Sequence, residues 1–284
     1  MIALPLLLLA ACAPDGDSRS GLPDPTTPPP GAPTLRVSEV VSGAQAWVEL
    51  GDGAPGWTGL FWRGAPGASC PPYLQGQCLD IARPKVTRVS GLDGDGRATW
   101  SVGIPSGLAA GVGTRLQGAM HDHVDVVLTP SLDVEVAAGD VCGGAPAALS
   151  APGFEQSTPS TWQLPAGYAW AAAPDEGANT LEITGNVAVE QWFPAVPVSA
   201  LSQATFRAWH DGLDAPLMLV EWTYADGAVD LHAFQAPELA GWQTLDLLPL
   251  LDPSEKLVHV RVWGYESGVG LPDVTRLDAF ALCR

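Results

Sequence analysis

Residues 217–224 read Leu-Met-Leu-Val-Glu-Trp-Thr-Tyr, and their pattern indicates how the second half of the chain folds. Successive side chains of an extended strand point to opposite faces of a sheet. One face of this stretch is apolar or aromatic and consists of Met218, Val220, Trp222 and Tyr224. The opposite face carries Glu221 and Thr223. This alternation predicts a strand with one face in a core and the other turned outward.

Segments on both sides of this stretch repeat the alternation. Between residues 204 and 209 the apolar face consists of Ala204, Phe206 and Ala208. Between residues 257 and 263 it consists of Val258, Val260 and Val262, which places Leu257 and His259 on the opposite face. No segment shows a strong helical period. Residues 139–284 therefore have the pattern and the size of one β-sandwich.

The preceding block, residues 35–138, contains shorter alternating runs such as Ala46–Leu50 and Ala98–Val102. Clusters of Gly and Asp, such as Asp93–Gly96, separate these runs and are typical of tight turns. The spacing predicts a small antiparallel β-sandwich, so the whole chain is expected to be all-β.

The chain begins with an apolar run. The ten residues Ile2–Ala11 carry no charge and are too short for a membrane-spanning helix, which needs about 20 residues. The run ends in Leu9-Ala10-Ala11-Cys12, which resembles the lipobox of bacterial lipoproteins. The resemblance implies that residues 1–11 are a signal peptide and that Cys12 is lipidated. One departure from the pattern is that no Lys or Arg precedes the apolar run.

The residues after Cys12 bear on location. Ala13 follows the cysteine, whereas an Asp there often marks retention in the inner membrane of Gram-negative bacteria. The resemblance therefore implies a lipid anchor in the outer membrane, on a side that it does not define. Residues 12–34 are dominated by Pro, Gly and acidic residues, so we expect them to form an anchor and an extended tether without a core.

Four cysteines remain outside the lipobox, at positions 70, 78, 142 and 283. An even number in an exported chain indicates disulfides, and four cysteines allow three pairings. We expect Cys70–Cys78, which are close in sequence, and Cys142–Cys283, which bracket the second block.

The charge balance excludes some classes of partner. The chain has 13 Lys and Arg against 31 Asp and Glu, a net charge of −18. Nucleic-acid binding requires a basic surface, so this composition argues against it. It also argues against a polybasic attachment to anionic lipid.

Both blocks resemble known β domains. Residues 35–138 are similar to small Ig-like domains of bacterial surface lipoproteins through a Cys-bracketed loop, Cys70–Cys78, an acidic-glycine turn, Leu92–Gly96, and a strand ending at Pro105. Residues 139–284 resemble jelly-roll carbohydrate-binding modules, also called galactose-binding-like domains. The matching features are Gly153-Phe154-Glu155 before Trp162, and the pair Leu277-Asp278. The resemblance implies a small Ig-like β-sandwich followed by a jelly-roll β-sandwich, with the second domain a non-catalytic module for binding a polysaccharide or other glycan, or for adhesion.

The same resemblance implies one metal site. In the modules that the second block resembles, a Glu after Gly-Phe and an Asp in the last strand help to hold a structural calcium ion. The matching residues here are Glu155 and Asp278. Calcium takes six to eight oxygen ligands, so two carboxylates need help from carbonyl groups or further side chains. The alternative is that both residues only pair with backbone groups.

Strand alternation also predicts a ligand-binding surface. The residues placed opposite the apolar sets are Arg207, Trp209, Glu221, His259, Arg261 and Trp263. A Trp ring stacks on the C–H face of a sugar, while Arg, Glu and His form hydrogen bonds with hydroxyl groups. If their strands lie side by side, these six residues form a glycan-binding face. The alternative is an ordinary charged strand surface whose tryptophans are covered.

Signatures of enzymes are missing from the sequence. There is no Gly-x-Ser-x-Gly, no His-Glu-x-x-His and no phosphate-binding glycine loop. We interpret Asp93–Gly96 as a turn rather than a calcium loop, and His121–Asp125 as a strand end rather than a zinc site. Two other functions stay open: a structural envelope protein without a small-molecule ligand, and a hydrolase.

The lipobox gives a direct prediction. Replacing Cys12 with Ser removes the thiol that would receive the lipid, so the protein should move from the membrane fraction to the soluble fraction. Immunoblotting of the fractions measures this shift. Retention of the Cys12→Ser variant in the membrane fraction would contradict the lipid anchor.

Overall fold

The structure is a computed structural model of the 284-residue chain. It describes residues 32–122, 124–137, 141–142, 147–149, 162–164, 168–172, 179–184, 187–211, 217–235, 242–263 and 274–284. Its fold is all-β, as the alternation predicted, and short 3-10 turns are found at Pro72–Leu74, Val198–Ala200 and Leu248–Leu250. Within the described residues, no helix is long and apolar enough to cross a membrane.

The first block forms two antiparallel sheets. Its strands are β1 (Thr34–Val37), β2 (Gln45–Gly51), β3 (Thr58–Ser69), β4 (Leu79–Gly91), β5 (Ala98–Gly103), β6 (Gly113–His121), β7 (Val126–Leu128) and β8 (Leu132–Glu135). One sheet has the order β1-β2-β5, and the other has the order β4-β3-β6-β7, with β8 also paired to β6. The core between them includes Val48, Leu50, Phe61, Trp100 and Met120.

The second block also forms two antiparallel sheets, consistent with a jelly-roll sandwich. Its strands are β9 (Tyr168–Ala172), β10 (Asn179–Thr184), β11 (Ala188–Pro197), β12 (Gln203–Asp211), β13 (Leu217–Tyr224), β14 (Val229–Gln235), β15 (Gln243–Asp246), β16 (Lys256–Trp263) and β17 (Val274–Cys283). The five-stranded sheet has the order β15-β12-β17-β10-β9, and the four-stranded sheet has the order β11-β16-β13-β14.

The core of the second sandwich follows the predicted faces. Ala204, Phe206 and Ala208 of β12 are buried, as are Val220, Trp222 and Tyr224 of β13. Phe206 stacks on Phe280 with the ring centroids 5.3 Å apart, which joins two strands of the same sheet within the core. The alternation assigned these residues correctly because both strands keep a strict period of two over the packed region.

One assignment from the alternation is wrong. Leu257 was expected to share the outer face with His259, but it is only 2% exposed and packs in the core with Val260 and Val262. The reason is a bulge in β16: Thr223 of β13 lies opposite His259, but the next residue, Tyr224, lies opposite Leu257. The extra residue, Val258, shifts the alternation by one position, so Leu257 turns inward.

Both predicted disulfides are present. Cys70 and Cys78 close the loop that contains Pro72–Leu74, and Leu74 packs in a small second core with Trp62, Leu79 and Ile81. Cys142 and Cys283 connect the start of the second block to the end of β17, with their Cα atoms 5.5 Å apart.

A buried carboxylate lies at the junction of the two sandwiches. Glu49 of β2 is fully buried, and its Oε1 atom lies 3.0 Å from Nη1 of Arg36 and 3.2 Å from Nη1 of Arg97. Its Oε2 atom accepts a hydrogen bond of 2.9 Å from the backbone N–H of Ala195 in β11. The Glu49 carboxylate is therefore bound by two positively charged side chains of the first sandwich and by one backbone N–H group of the second. The sequence analysis did not predict this junction.

Further contacts continue the junction. The backbone N–H of Ala147 donates to the Glu39 carboxylate at 3.1 Å, and the N–H of Glu39 donates to the carbonyl of Ala147 at 3.2 Å. At the end of the chain, the guanidinium of Arg284 lies 4.0 Å from the ring centroid of Trp47. The two sandwiches are therefore joined by specific polar contacts as well as by the connecting chain.

Glu49 provides a stability test. The Glu49→Ala variant removes the buried carboxylate that Arg36 and Arg97 share, and it leaves Arg36 with only the exposed Asp52 as a partner, which should lower the free energy of unfolding by about 3–5 kcal/mol. Urea denaturation followed by tryptophan fluorescence measures the change. The exposed Glu135 of β8 provides a control, because Glu135→Ala should change stability by no more than about 0.5 kcal/mol. Similar effects of the two substitutions would contradict this account of the junction.

Candidate functional site

The six residues predicted to form one ligand-binding face lie in two different sheets. Arg207 and Trp209 belong to β12 of the five-stranded sheet, whereas Glu221 of β13 and the residues of β16 belong to the four-stranded sheet. The two sheets pack face to face over the core, so their outer surfaces point in opposite directions. The prediction that all six residues share one surface is therefore wrong. Alternation defines the face of each strand but not the sheet that the strand joins.

The four-stranded sheet brings the other four residues together. Its outer surface, which we call the mixed face, consists of three rows that run across β11, β16, β13 and β14. The register gives the rows as Trp192, His259, Thr223 and Val229; then Glu190, Arg261, Glu221 and Leu231; then Ala188, Trp263, Leu219 and Ala233. The predicted residues Glu221, His259, Arg261 and Trp263 all belong to these rows. The mixed face thus combines two indoles with a central row of charges.

Arg261 is the centre of the charged row. Its guanidinium contacts the Glu190 carboxylate through Nε and Nη2, and its Nη1 atom lies 3.3 Å from Oε1 of Glu221. The three side chains are partly exposed. A cation fixed between two anions has little freedom to change rotamer, so the row presents donors and acceptors in defined positions. Glu190 was not among the predicted residues.

His259 is buried beneath neighbouring side chains of the mixed face and is not exposed. It is 2% exposed, with Nδ1 3.1 Å from Oγ1 of Thr223 and Nε2 3.3 Å from Oε2 of Glu190. Its ring stacks on Trp192 with a centroid distance of 4.2 Å. At this burial the imidazole does not reach a ligand on the surface. The predicted direct contact of His259 with a sugar is therefore not supported, and the residue holds Glu190 and Trp192 in position.

Trp192 is a member of the mixed face that the sequence analysis missed. It is 39% exposed, and the guanidinium of Arg36 from the first sandwich lies 5.0 Å from its ring centroid. Together with His259, this contact fixes the indole at the junction of the sandwiches. The signal in the sequence is the alternation of Glu190 and Trp192 with the apolar Val189 and Phe193, which are both buried, although the polar Gln191 interrupts this pattern.

Trp263 lies at the opposite end of the mixed face. It is partly exposed, and the guanidinium of Arg261 lies 5.8 Å from its ring centroid. An indole beside a fixed guanidinium and two carboxylates offers an apolar surface next to hydrogen-bonding groups. This arrangement suits a ligand that has both apolar faces and hydroxyl groups.

The outer surface of the five-stranded sheet holds the remaining two predicted residues. Trp209 lies opposite Arg276 of β17, whose guanidinium is 4.3 Å from the indole centroid and whose Nε atom is 2.9 Å from Oε2 of Glu182. Arg207 lies opposite Asp278 in the same strand pair. Trp209 is thus packed under an arginine that is itself held by a carboxylate.

The predicted calcium ligands are only partly described. Asp278 is 2% exposed, and its Oδ1 atom accepts a hydrogen bond of 2.8 Å from the backbone N–H of Ala279. Glu155 lies outside the described residues, so the calcium site stays a prediction. Among the residues that the structure describes, no group of three or more His, Cys, Asp or Glu side chains is arranged to hold a metal ion.

The two other acidic or histidine-rich runs have simpler structures. Asp93 accepts hydrogen bonds at Oδ1 from the backbone N–H groups of Asp95, at 3.0 Å, and of Arg97, at 2.8 Å. This confirms a turn at Asp93–Gly96. His121 ends β6, and His123 lies outside the described residues.

Comparisons with known proteins give limited information. No family model and no curated protein sequence matches the chain. One solved structure that resembles it is the carbohydrate-binding module TmCBM61 in complex with β-1,4-galactotriose. The match has 16% sequence identity and a TM-score of 0.32, and it covers 49% of this chain and 98% of the module. A likeness this distant does not establish a shared ligand or a shared site.

The charged row predicts a pH dependence. Burial of the Glu190 carboxyl opposes its ionisation, but the hydrogen bond with His259 and the charge of Arg261 outweigh burial and lower its pKa. A carboxyl whose pKa is lowered by folding contributes stability above its unfolded pKa, and this contribution is lost as the pH falls through the folded pKa. The Glu190→Gln variant should therefore be less stable than the wild type at pH 7, and the difference should shrink below about pH 4.

Urea denaturation at pH 7 and at acidic pH measures this difference. The Glu135→Gln variant is the control, because it removes one negative charge from an exposed position of the other sandwich. A stability difference for Glu190→Gln that stays constant with pH would contradict the role assigned to Arg261 and His259.

Proposed function

We propose that this chain is a lipid-anchored protein of the outer membrane whose second sandwich binds a glycan, without catalysis, through the mixed face. The observation that carries the proposal is the arrangement of Trp263 beside the Glu190–Arg261–Glu221 row on one rigid sheet. The lipobox at Leu9–Cys12 and the Pro-rich residues 13–34 support the anchor and the tether.

The mixed face matches the chemistry of a sugar ring. A pyranose has an apolar C–H surface, which packs against an indole, and a rim of hydroxyl groups that both donate and accept hydrogen bonds. Arg261 has five N–H donors in its fork, more than its carboxylate partners occupy, and Glu221 keeps acceptor lone pairs toward solvent. A hydroxyl group that bridges this pair satisfies both, while Trp263 contacts the ring.

The rigidity of the face favours binding without a change of conformation. The three charged side chains are held by each other, and the register of β11, β16 and β13 fixes their spacing. Little side-chain entropy is therefore lost when a ligand binds. This favours a module that recognises a defined part of a glycan chain.

The charges on the mixed face also support a non-catalytic role. A glycoside hydrolase needs one carboxyl with a raised pKa to protonate the leaving group. Glu190 and Glu221 are the two carboxylates of the charged row, and both contact Arg261. The lowered pKa of Glu190 is opposite to the shift that a general acid requires.

The test is a glycan array probed with the full chain, followed by titration of the best neutral oligosaccharide. Trp263→Ala should weaken that binding by about 1–3 kcal/mol, judged from the apolar area of a large side chain. Trp209→Ala is the matched control, because Trp209 is a partly exposed indole beside an arginine on the opposite surface. It should leave the affinity unchanged.

Two results would contradict the proposal. Equal losses from Trp263→Ala and Trp209→Ala would show that the mixed face is not the site. Binding of no glycan on the array would favour a structural envelope protein instead.

A further inference from the structure

The hairpin formed by β3 and β4 has a charge opposite to that of the rest of the chain. Residues 58–91 contain four basic residues, Arg63, Arg83, Lys85 and Arg88, and one acidic residue, Asp80. The hairpin thus carries a net charge of +3 in a chain whose total is −18. We call this segment the basic hairpin. One element of an acidic protein therefore has a net positive charge.

The register places three of these cations on one face. Arg63 lies directly opposite Lys85, and Phe61 lies opposite Arg88. Phe61 and Arg63 are two residues apart on β3, so they point to the same side, and their partners on β4 share it. This side faces the core at Phe61 and is open to solvent at Arg63 and at the partners on β4. The register shift between the two pairs allows Lys85 and Arg88 to share this side although they are three residues apart. All four basic side chains are exposed.

These cations differ in their partners from five other arginines of the chain. Arg36, Arg97, Arg115, Arg261 and Arg276 each lie within 4 Å of a carboxylate. Across the described part of the chain, no carboxylate forms such a pair with a basic residue of the hairpin. Like charges directly opposite each other on a sheet are destabilising, so the Arg63–Lys85 pair has a cost in the free protein. An anion bound between them removes that cost.

Protection of a free edge does not explain the whole set. β4 pairs with β3 alone among the described strands, and charged side chains on an edge strand prevent pairing with another chain. Arg63, however, lies on β3, which is covered on both edges by β4 and β6. A cation on an inner strand gives no such protection, yet it completes the row with Lys85 and Arg88.

We propose that the basic hairpin binds a linear anionic polysaccharide that carries carboxylate groups. Three of its four cations are arginines, whose planar forks match carboxylates through paired hydrogen bonds. Lys85 and Arg88 lie opposite Arg63 and Phe61, which are two residues apart, or about 7 Å along the strand, and this spacing suits charges repeated along a chain. This site lies on the first sandwich and does not depend on the mixed face.

The net charge favours a thin polymer over a broad anionic surface. Charges in physiological salt are screened beyond about 8 Å, so a single polysaccharide chain on the hairpin avoids most of the negative surface elsewhere. An anionic bilayer or a nucleic-acid duplex presents charge over a wide area and also meets the acidic parts of the protein. The acidic surface of the protein therefore repels a bilayer or a duplex more strongly than it repels a single polysaccharide chain.

The experiment measures binding of the full chain to polygalacturonate, with neutral galactan and vesicles of phosphatidylcholine and phosphatidylglycerol as comparison probes. The wild type should bind polygalacturonate but not the vesicles, and its affinity for polygalacturonate should fall as NaCl is raised, whereas any binding of neutral galactan should be the same in the wild type and the hairpin variants. The triple variant Arg63→Gln, Lys85→Gln, Arg88→Gln should lose about tenfold or more in affinity and most of the salt dependence. The variant with Lys at positions 63 and 88 keeps the charge and should retain most of the binding.

The chain offers a matched control, because Lys85 and Lys256 are its only lysines and both are exposed strand residues. Lys85→Gln should weaken polygalacturonate binding severalfold, while Lys256→Gln and Trp263→Ala should not change it. Circular dichroism checks that the triple variant is folded, which the exposure of the three side chains favours. Loss of polygalacturonate binding in Trp263→Ala would move the anionic ligand to the mixed face.

Other results would also overturn the proposal. One is that the wild type and the triple variant bind polygalacturonate with equal affinity. Another is that the wild type binds the vesicles and does not bind polygalacturonate. If the triple variant self-associates but binds polygalacturonate as tightly as the wild type, the role of these charges is to protect the β4 edge from pairing with another chain.

Discussion

The carboxylate of Glu49 has no access to water, and its charge must be neutralised where it lies. Arg36 and Arg97 supply the positive charge from the first sandwich, and the backbone of Ala195 supplies a donor from β11 of the second. Arg36 in turn lies against Trp192, which stacks on His259. The position of one buried acid is thus coupled through three side chains to the mixed face. A separated second sandwich would lack part of the support for that face.

The sequence determined the core more fully than it determined the site. A strand has a period of two, so local alternation was sufficient to assign Phe206, Val220 and Trp222 to the interior. Sheet membership depends instead on pairing between distant segments, and nothing within β12 shows that it pairs with β15 and β17 rather than with β13. Arg207 and Trp209 were therefore grouped with residues on the opposite surface. The bulge that turns Leu257 inward is also invisible in the alternation, because it depends on the partner strand.

Some residues of the mixed face could be predicted from the sequence and others could not. Arg261, Glu221 and Trp263 were found because each alternates with valines or other core residues in a clear strand. Trp192 and Glu190 lie in Ala188–Pro197, a strand with Pro194 and Pro197 in its second half, so its pattern is less regular. His259 was assigned to the correct face, but its burial arises from Trp192 and Glu190 on the neighbouring strand. Burial of an outward-facing residue is a property of its neighbours and not of its own segment.

The disulfide between Cys142 and Cys283 has a mechanical consequence when the chain is pulled from its amino-terminal side. Tension that follows the chain into the second sandwich from the amino-terminal side passes at Cys142 through the covalent bond to the end of β17. Because β17 lies inside the five-stranded sheet, between β12 and β10, the force is shared by two ladders of hydrogen bonds loaded along the strand. The residues between the two cysteines form a closed covalent loop, so a pull at the amino end cannot draw the chain out beyond Cys142. A sandwich closed in this way resists being unravelled from its amino end by shear, as long as the bond stays oxidised.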